Sequence, residues 1–215
     1  MSHAGEREGV VAAAARLESL GLTHGTSGNV SVRAGDGFLI TPTGVPTESL
    51  RPATVVWCDA DGAPAPGSPA PSTEWRMHRD IYAGRPEVCA VVHTHSPYAT
   101  AIACLRRPLP AVHYLVAAAG GSDVPCAEYA TFGTPELSAN ALRALDGRQA
   151  CLLANHGVVA VGSDLDRAVR LAFEVERLAE VYGLALAAGT PEILEESEME
   201  RVLERFRQYG QHGGI

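Results

Sequence analysis

Two histidines one residue apart, His93 and His95, stand at the end of a short apolar run, Cys89-Ala90-Val91-Val92-His93. The run is rich in β-branched residues and reads as a buried strand. Side chains alternate along a strand, so both imidazoles point to one side and can share a metal ion. A third histidine, His156, follows a second apolar run, Leu152-Leu153-Ala154-Asn155. Three histidines that leave one position open form the pattern of catalytic zinc sites. The spacing taken alone also fits two histidines that merely cap a strand end.

Other residues could join this chemistry. Glu74 opens a helix beside small polar residues and could face the histidines. There it could serve as a fourth metal ligand and as a general acid/base. The bland alternative is a first-turn glutamate favoured by the helix dipole. Gly25 to Asn29, Thr43-Gly44 and Ser72-Thr73 are three small polar segments, two of them glycine-bearing turns. Backbone amides, hydroxyls and a helix N-terminus can bind an anion such as a phosphate monoester without lysine. Ordinary turn chemistry explains any one of them. Tyr114 and Tyr209 are candidate acids or hydrogen-bond donors. His78, four residues after Glu74, reads as supporting structure or surface.

Composition narrows the options. The chain has 215 residues, a net charge of −8, 46% hydrophobic and 20% charged residues, as expected of one globular domain spanning 1–215. Its acidity and the lack of a basic cluster argue against a nucleic-acid partner. No apolar run approaches the length of a membrane span, and the N-terminus does not resemble a signal peptide. The five cysteines form no Cys-x-x-Cys pair and read as buried thiols of a cytoplasmic protein. All 17 basic residues are arginine. The absence of lysine excludes Schiff-base catalysis through a lysine, a lysine-anchored pyridoxal cofactor and a standard P-loop. A metal ion is then the obvious electron sink for a carbanion beside a carbonyl.

The elements that must position these residues follow from periodicity and turn signals. The sequence predicts a helix over Arg7 to Leu20, a hairpin of Asn29 to Arg33 with Phe38 to Thr41, and a strand over Val55 to Asp59. A Pro/Ala/Gly-rich surface loop spans Asp59 to Pro71. Helices are expected from Ser72 or Thr73 (as N-cap) to Ala83, from Ser96 to Leu105 and from Thr134 to Asp146. Strands are expected near Val124 to Tyr129, over Ala150 to Ala154 and over Val158 to Val161. A long helix capped by Ser163 runs to Ala188, and a last one covers Pro191 to Tyr209. Irregular alternation with one hairpin indicates a layered α/β domain with a mixed or antiparallel sheet.

In combination, eight segments resemble the class II aldolase/adducin family, most closely its members that act on L-fuculose 1-phosphate. They are GLTHGTSGNVSVR (21–33), FLITPTGVP (38–46), STEW (72–75), VVHTHS (91–96), PAVHYLVAAAGG (110–121), PCAEYATFGT (125–134), NHGVVA (155–160) and LERFRQYG (203–210). The resemblance implies a three-layer α/β/α domain around a mainly antiparallel sheet, assembled as a homotetramer with active sites at subunit interfaces. It implies one Zn²⁺ per subunit held by His93, His95 and His156, with Glu74 as further ligand and acid/base. It assigns Gly28, Asn29, Thr43, Gly44, Ser72 and Thr73 to a phosphate cradle. It assigns Tyr114 to the aldehyde oxygen, acting from a neighbouring subunit, and Phe132 and Tyr209 to the aldehyde-binding region.

The implied reaction cleaves a ketose 1-phosphate, L-fuculose 1-phosphate foremost, to dihydroxyacetone phosphate and an aldehyde, L-lactaldehyde for that sugar. Tyr114 takes the C4 hydroxyl proton, and Glu74 delivers a proton to the enediolate. Alternatives within the superfamily are a 5-deoxyribulose-1-phosphate aldolase, a pentulose-phosphate 4-epimerase and a methylthioribulose-phosphate dehydratase. The non-enzymatic alternative is an adducin-like interaction domain, which would lack the three histidines.

Overall fold

A computed structural model describes residues 3–210, the side chain of Tyr209 aside. Nine strands are assigned, β1 Asn29–Ala34, β2 Gly37–Ile40, β3 Val56–Cys58, β4 Ala90–Thr94, β5 Leu109–Pro110, β6 Asp123–Val124, β7 Cys126–Ala127, β8 Ala150–Leu153 and β9 Gly157–Gly162. The helices are α1 Ala4–Ser19, α2 Trp75–Gly84, α3 Pro97–Cys104, α4 Pro135–Ala144, α5 Leu165–Ala188 and α6 Glu196–Gly210. Seven strands form one sheet in the order β3-β2-β1-β4-β9-β8-β7. Every pairing in it is antiparallel except β7 with β8. Strands β5 and β6 pair separately.

Strand alternation divides the core between the two faces of this sheet. Leu39, Ala90, Val92, Leu152, Val158 and Ala160 pack with residues of α1, α3, α5 and α6. Ile40, Val91, Cys151, Leu153, Val159 and Val161 pack with Met77 and Ile81 of α2 and Leu137 and Ala141 of α4. The result is the expected three-layer α/β/α arrangement. It places β4 in the middle of the sheet, so the backbone carrying His93 is hydrogen-bonded on both sides, to β1 and β9.

Three helix starts differ from the expectations. Helix α2 begins at Trp75, with Glu74 at the N-cap position and making no cap hydrogen bond. Ser72 and Thr73 instead form the turn before it, where the Trp75 amide donates to the Ser72 carbonyl. Helix α5 is capped by Asp164 rather than Ser163, its carboxylate accepting from the Arg167 amide at 2.8 Å. The last helix starts at Glu196, and just before it the Leu194 amide donates to the Ala111 carbonyl, away from any helical ladder. Of the five cysteines, Cys58 and Cys151 are buried, Cys89 and Cys126 partly so, and Cys104 is exposed; all are free. Among the described residues, no helix is long and apolar enough to cross a membrane.

Candidate active site

The three histidines meet where β4 and the β8–β9 hairpin end side by side. His93 lies on β4, opposite Asn29 of β1 and Val159 of β9. His95 is two residues on, just past the strand. His156 sits in the three-residue turn between Leu153 and Gly157, the closing pair of the hairpin. Asn155 in that turn has φ of 53°, a left-handed conformation that asparagine tolerates better than most residues. A Cβ on Gly157 would lie 2.2 Å from the Thr94 carbonyl and 3.0 Å from the His95 ring. Only glycine lets the hairpin come this close to the histidines.

The donor atoms converge. His93 Nε2 is 2.9 Å from His95 Nε2 and 3.1 Å from Glu74 Oε2, and His156 Nε2 is 3.4 Å from Glu74 Oε1. His93 Nδ1 donates to the Val158 carbonyl at 2.9 Å, which leaves Nε2 as the inward-facing nitrogen. Glu74 Oε1 is buried and lacks a hydrogen-bond partner. Bare ring nitrogens and carboxylate oxygens this close repel unless a proton or a metal cation lies among them. These observations fit a cation, and Glu74, His93, His95 and His156 form a group that could hold a metal ion, with one ligand atom from each.

The electrostatics agree with that reading. Burial alone would raise the Glu74 carboxyl. The charge of His93 and its hydrogen bond, with His156 and the Asn29 amide, outweigh burial and hold it far below the usual carboxylate range. Burial and the neighbouring imidazoles push His95 and His156 down to about 4, so both are neutral and ready to ligate at neutral pH. His93 is fully buried, which opposes charge, yet the Glu74 carboxylate pushes it up.

Glu74, His95 and His156 line a cavity of about 330 Å³, with His93 buried behind them. Its walls bring together all six cradle candidates, Gly28, Asn29, Thr43, Gly44, Ser72 and Thr73. Gly28 has φ of +75°, and a Cβ there would lie 2.7 Å from the His93 carbonyl. A larger concavity of about 610 Å³ between α1 and the start of α5 is mostly apolar and holds no histidine.

The aldehyde-end candidates fare differently. Phe132 lines the cavity with 64% of its surface exposed. Tyr114 does not line it and lies 49% exposed at the start of a 3-10 segment. The side chain of Tyr209 lies outside the described residues. The wall also contains Tyr129 and Asn155, neither of which the sequence reading placed in the site. Tyr129 lies three residues before Phe132 on one loop, the only sequence signal for it. The Arg106 guanidinium ties both, donating to Asn155 Oδ1 at 2.7 Å and lying over the Tyr129 ring. His78 is fully buried rather than on the surface.

Comparison with known proteins fits this geometry. The family description "Class II Aldolase and Adducin N-terminal domain" matches residues 8–183. The chain belongs to the class II aldolase and adducin family. A 5-methylthioribulose-1-phosphate/5-deoxyribulose-1-phosphate aldolase of Rhodospirillum rubrum is 55% identical over 209 residues, 97% of this chain and 94% of the relative. The L-fuculose phosphate aldolase of Escherichia coli K12 is 49% identical over 195 residues, 90% of each chain. A solved L-fuculose 1-phosphate aldolase superposes with a TM-score of 0.93 at 41% identity, covering 96% of this chain and 98% of that one. This aldolase is therefore a lyase of the class that uses a divalent metal, and its histidine–glutamate group suits such an ion.

Proposed function

We propose that this enzyme is a Zn²⁺-dependent aldolase that reversibly cleaves a deoxyketose 1-phosphate between C3 and C4. The products are dihydroxyacetone phosphate and a short aldehyde. The observation that carries the proposal is the junction of the His95, His156 and Glu74 floor with the six-residue polar wall in one cavity. A metal centre beside an anion cradle suits a substrate with a carbonyl next to a phosphate ester.

His93, His95 and His156 would hold the ion, a nitrogen donor set matching zinc, with Glu74 as a further oxygen. When bound, the ion supplies the Lewis acid that draws electron density toward the C2 oxygen. The turns at Gly28, Gly44 and Ser72 hold the phosphate and fix C3 close to Glu74. Loss of the C4 hydroxyl proton breaks the C3–C4 bond and leaves its electron pair in an enediolate. Glu74 moves a proton at C3 to give dihydroxyacetone phosphate. Tyr114 lies outside its own chain's cavity and takes the C4 hydroxyl proton in a neighbouring subunit of a homotetramer. Phe132 borders the departing aldehyde, with Tyr209 in the same region.

5-Deoxyribulose 1-phosphate or its 5-methylthio analogue is the leading substrate, because the relative named for both is 55% identical. This reverses the order expected from the motifs. L-fuculose 1-phosphate is the second reading, supported by a relative at 49% identity and a structural neighbour at a TM-score of 0.93.

The test is release of dihydroxyacetone phosphate and aldehyde from these three sugars, before and after chelation. Chelator-sensitive release, fastest from the 5-deoxypentulose phosphates, is expected. Faster release from L-fuculose 1-phosphate would reverse the two readings. Conversion without aldehyde would replace the aldolase with an epimerase or a dehydratase, told apart by whether water is lost.

A further inference from the structure

Behind Glu74 runs a buried chain of polar groups, of which His78, Ser31 and Tyr82 have no part in the reaction above. Asn29 Nδ2 donates to Glu74 Oε2 at 3.0 Å, and Asn29 Oδ1 bonds to His78 Nε2. His78 Nδ1 is 2.6 Å from Ser31 Oγ, which is 2.7 Å from the Tyr82 hydroxyl. Asn29, Ser31, Glu74, His78 and Tyr82 are all buried. Arg33 closes the outer end, donating to the Tyr82 carbonyl at 2.9 Å with its guanidinium over the ring.

The pairing has a geometric origin. Glu74, His78 and Tyr82 follow one another at four-residue steps along the start and one face of α2, about 6 Å apart. Asn29, Ser31 and Arg33 follow at two-residue steps on one face of β1, about 6.6 Å apart. The two pitches nearly match, so each helix residue meets the strand residues beside it.

The hydrogens in this chain have one consistent arrangement. An ionised carboxylate only accepts, so Asn29 must turn its NH₂ to Glu74 and its oxygen to His78. That oxygen requires a proton on His78 Nε2. Burial keeps the ring neutral, so Nδ1 is bare and must accept from the Ser31 hydroxyl. Ser31 then accepts from Tyr82. Every donor points toward Glu74, and such aligned bonds reinforce one another in a dry interior.

We propose that His78 is a positioning residue of the aldolase, which locks the Asn29 amide in the one orientation that holds Glu74 for proton transfer at C3. This rests on the proposed role of Glu74. Asn29 also lines the cavity, so the same lock fixes a group that faces substrate.

Nitrogen-15 resonances of labelled histidine test the chain independently of activity, with His78 assigned by its loss in His78→Gln. A neutral His78 protonated only at Nε2 is expected in the folded protein. An Nδ1–H tautomer, a tautomer mixture or an imidazolium at neutral pH would overturn the proposal. Kinetics then test the consequence. His78→Leu cannot donate to Asn29 and is expected to slow proton exchange at dihydroxyacetone phosphate about 10- to 100-fold, with a smaller rise in KM. His78→Gln carries an amide donor near the Nε2 position and is expected to recover most of that loss. Equal losses in both variants would reduce His78 to packing and sink the proposal. If His78→Leu does not fold, the tautomer measurement still decides it. Absence of exchange in the unaltered protein would count against the role of Glu74, and so against the proposal's function but not its hydrogen-bond chain.

Discussion

The two ends of the cavity are built from different material. At the inner end, His93 belongs to a central strand, His156 to a tight hairpin, and Glu74 is anchored by Asn29. At the outer end stand Tyr129 and Phe132, more than half exposed, on the loop between β7 and α4. The inner end is held by paired backbone and buried hydrogen bonds, and the outer end by its loop and the Arg106 guanidinium over Tyr129. A rigid floor suits steps in which protons and charge must meet fixed donors. A loop wall can change its side chains without disturbing that floor. On this account the inner end sets the reaction and the outer end sets which aldehyde leaves.

That division can be broken first at Glu74. Glu74→Gln keeps the shape but removes the base, and should lower turnover about 100- to 10,000-fold with bound metal retained. Near-normal turnover would remove the acid/base role.

Acid should strike the inner end next. His78 is held down at about 3, and His95 and His156 at about 4, whereas the unfolded chain protonates them near 6.5. Below that pH the unfolded state binds more protons, so the metal-free protein should lose several kcal/mol as pH falls from about 6.5 toward 4. Glu74, whose carboxyl is lowered in the fold, adds to the loss below its ordinary 4.5. His93 is raised and acts in the opposite sense, but its contribution is already complete once pH has fallen to about 6.5. Melting temperatures of chelator-treated protein that stay flat through this range would contradict buried neutral histidines.

A smaller effect is expected at the polar wall. Ser72→Ala should raise KM for the sugar phosphate about tenfold, the loss of one hydrogen bond to a charged group, with a lesser change in kcat. An unchanged KM would take Ser72 out of the cradle. The smallest effect belongs to Phe132→Ala. It should shift the preference between 5-deoxyribulose 1-phosphate and L-fuculose 1-phosphate by less than about tenfold and leave proton exchange at dihydroxyacetone phosphate intact. Loss of exchange would show that the outer end reaches into the chemistry and would dissolve the comparison.

The inner end was also the more legible one. Period-two alternation put His93 and His95 on one side, and the apolar run before His156 announced a second buried strand. The sequence places Glu74 at a helix start, and it stands at the N-cap position of α2. What its carboxylate does was open, because that depends on Asn29, a partner on a strand far away in sequence. The choice between supporting structure and surface for His78 stays open in the sequence for the same reason, and the fold decides it for supporting structure. Nothing local to Glu74 or His78 says that β1 will lie alongside α2. Asp164 prevailed over Ser163 because the strand before it runs on through Gly162, a register that sequence signals set only to within a residue or two. Of the outer end, the family resemblance points to Phe132 and misses Tyr129. Nothing in the composition of their loop says that Tyr129 and Phe132 share a wall with His156.

The most direct test of the central claim is the metal stoichiometry of the purified protein and of His93→Ala and His95→Ala, by elemental analysis after dialysis. The account predicts one zinc per chain in the unaltered protein. It predicts loss of the metal from both variants, with activity falling about 1,000-fold or more, as expected when several kcal/mol of charge stabilisation disappear. Variants that keep a full equivalent of metal would show that these imidazoles are not its ligands, and the rigid inner end would need another explanation.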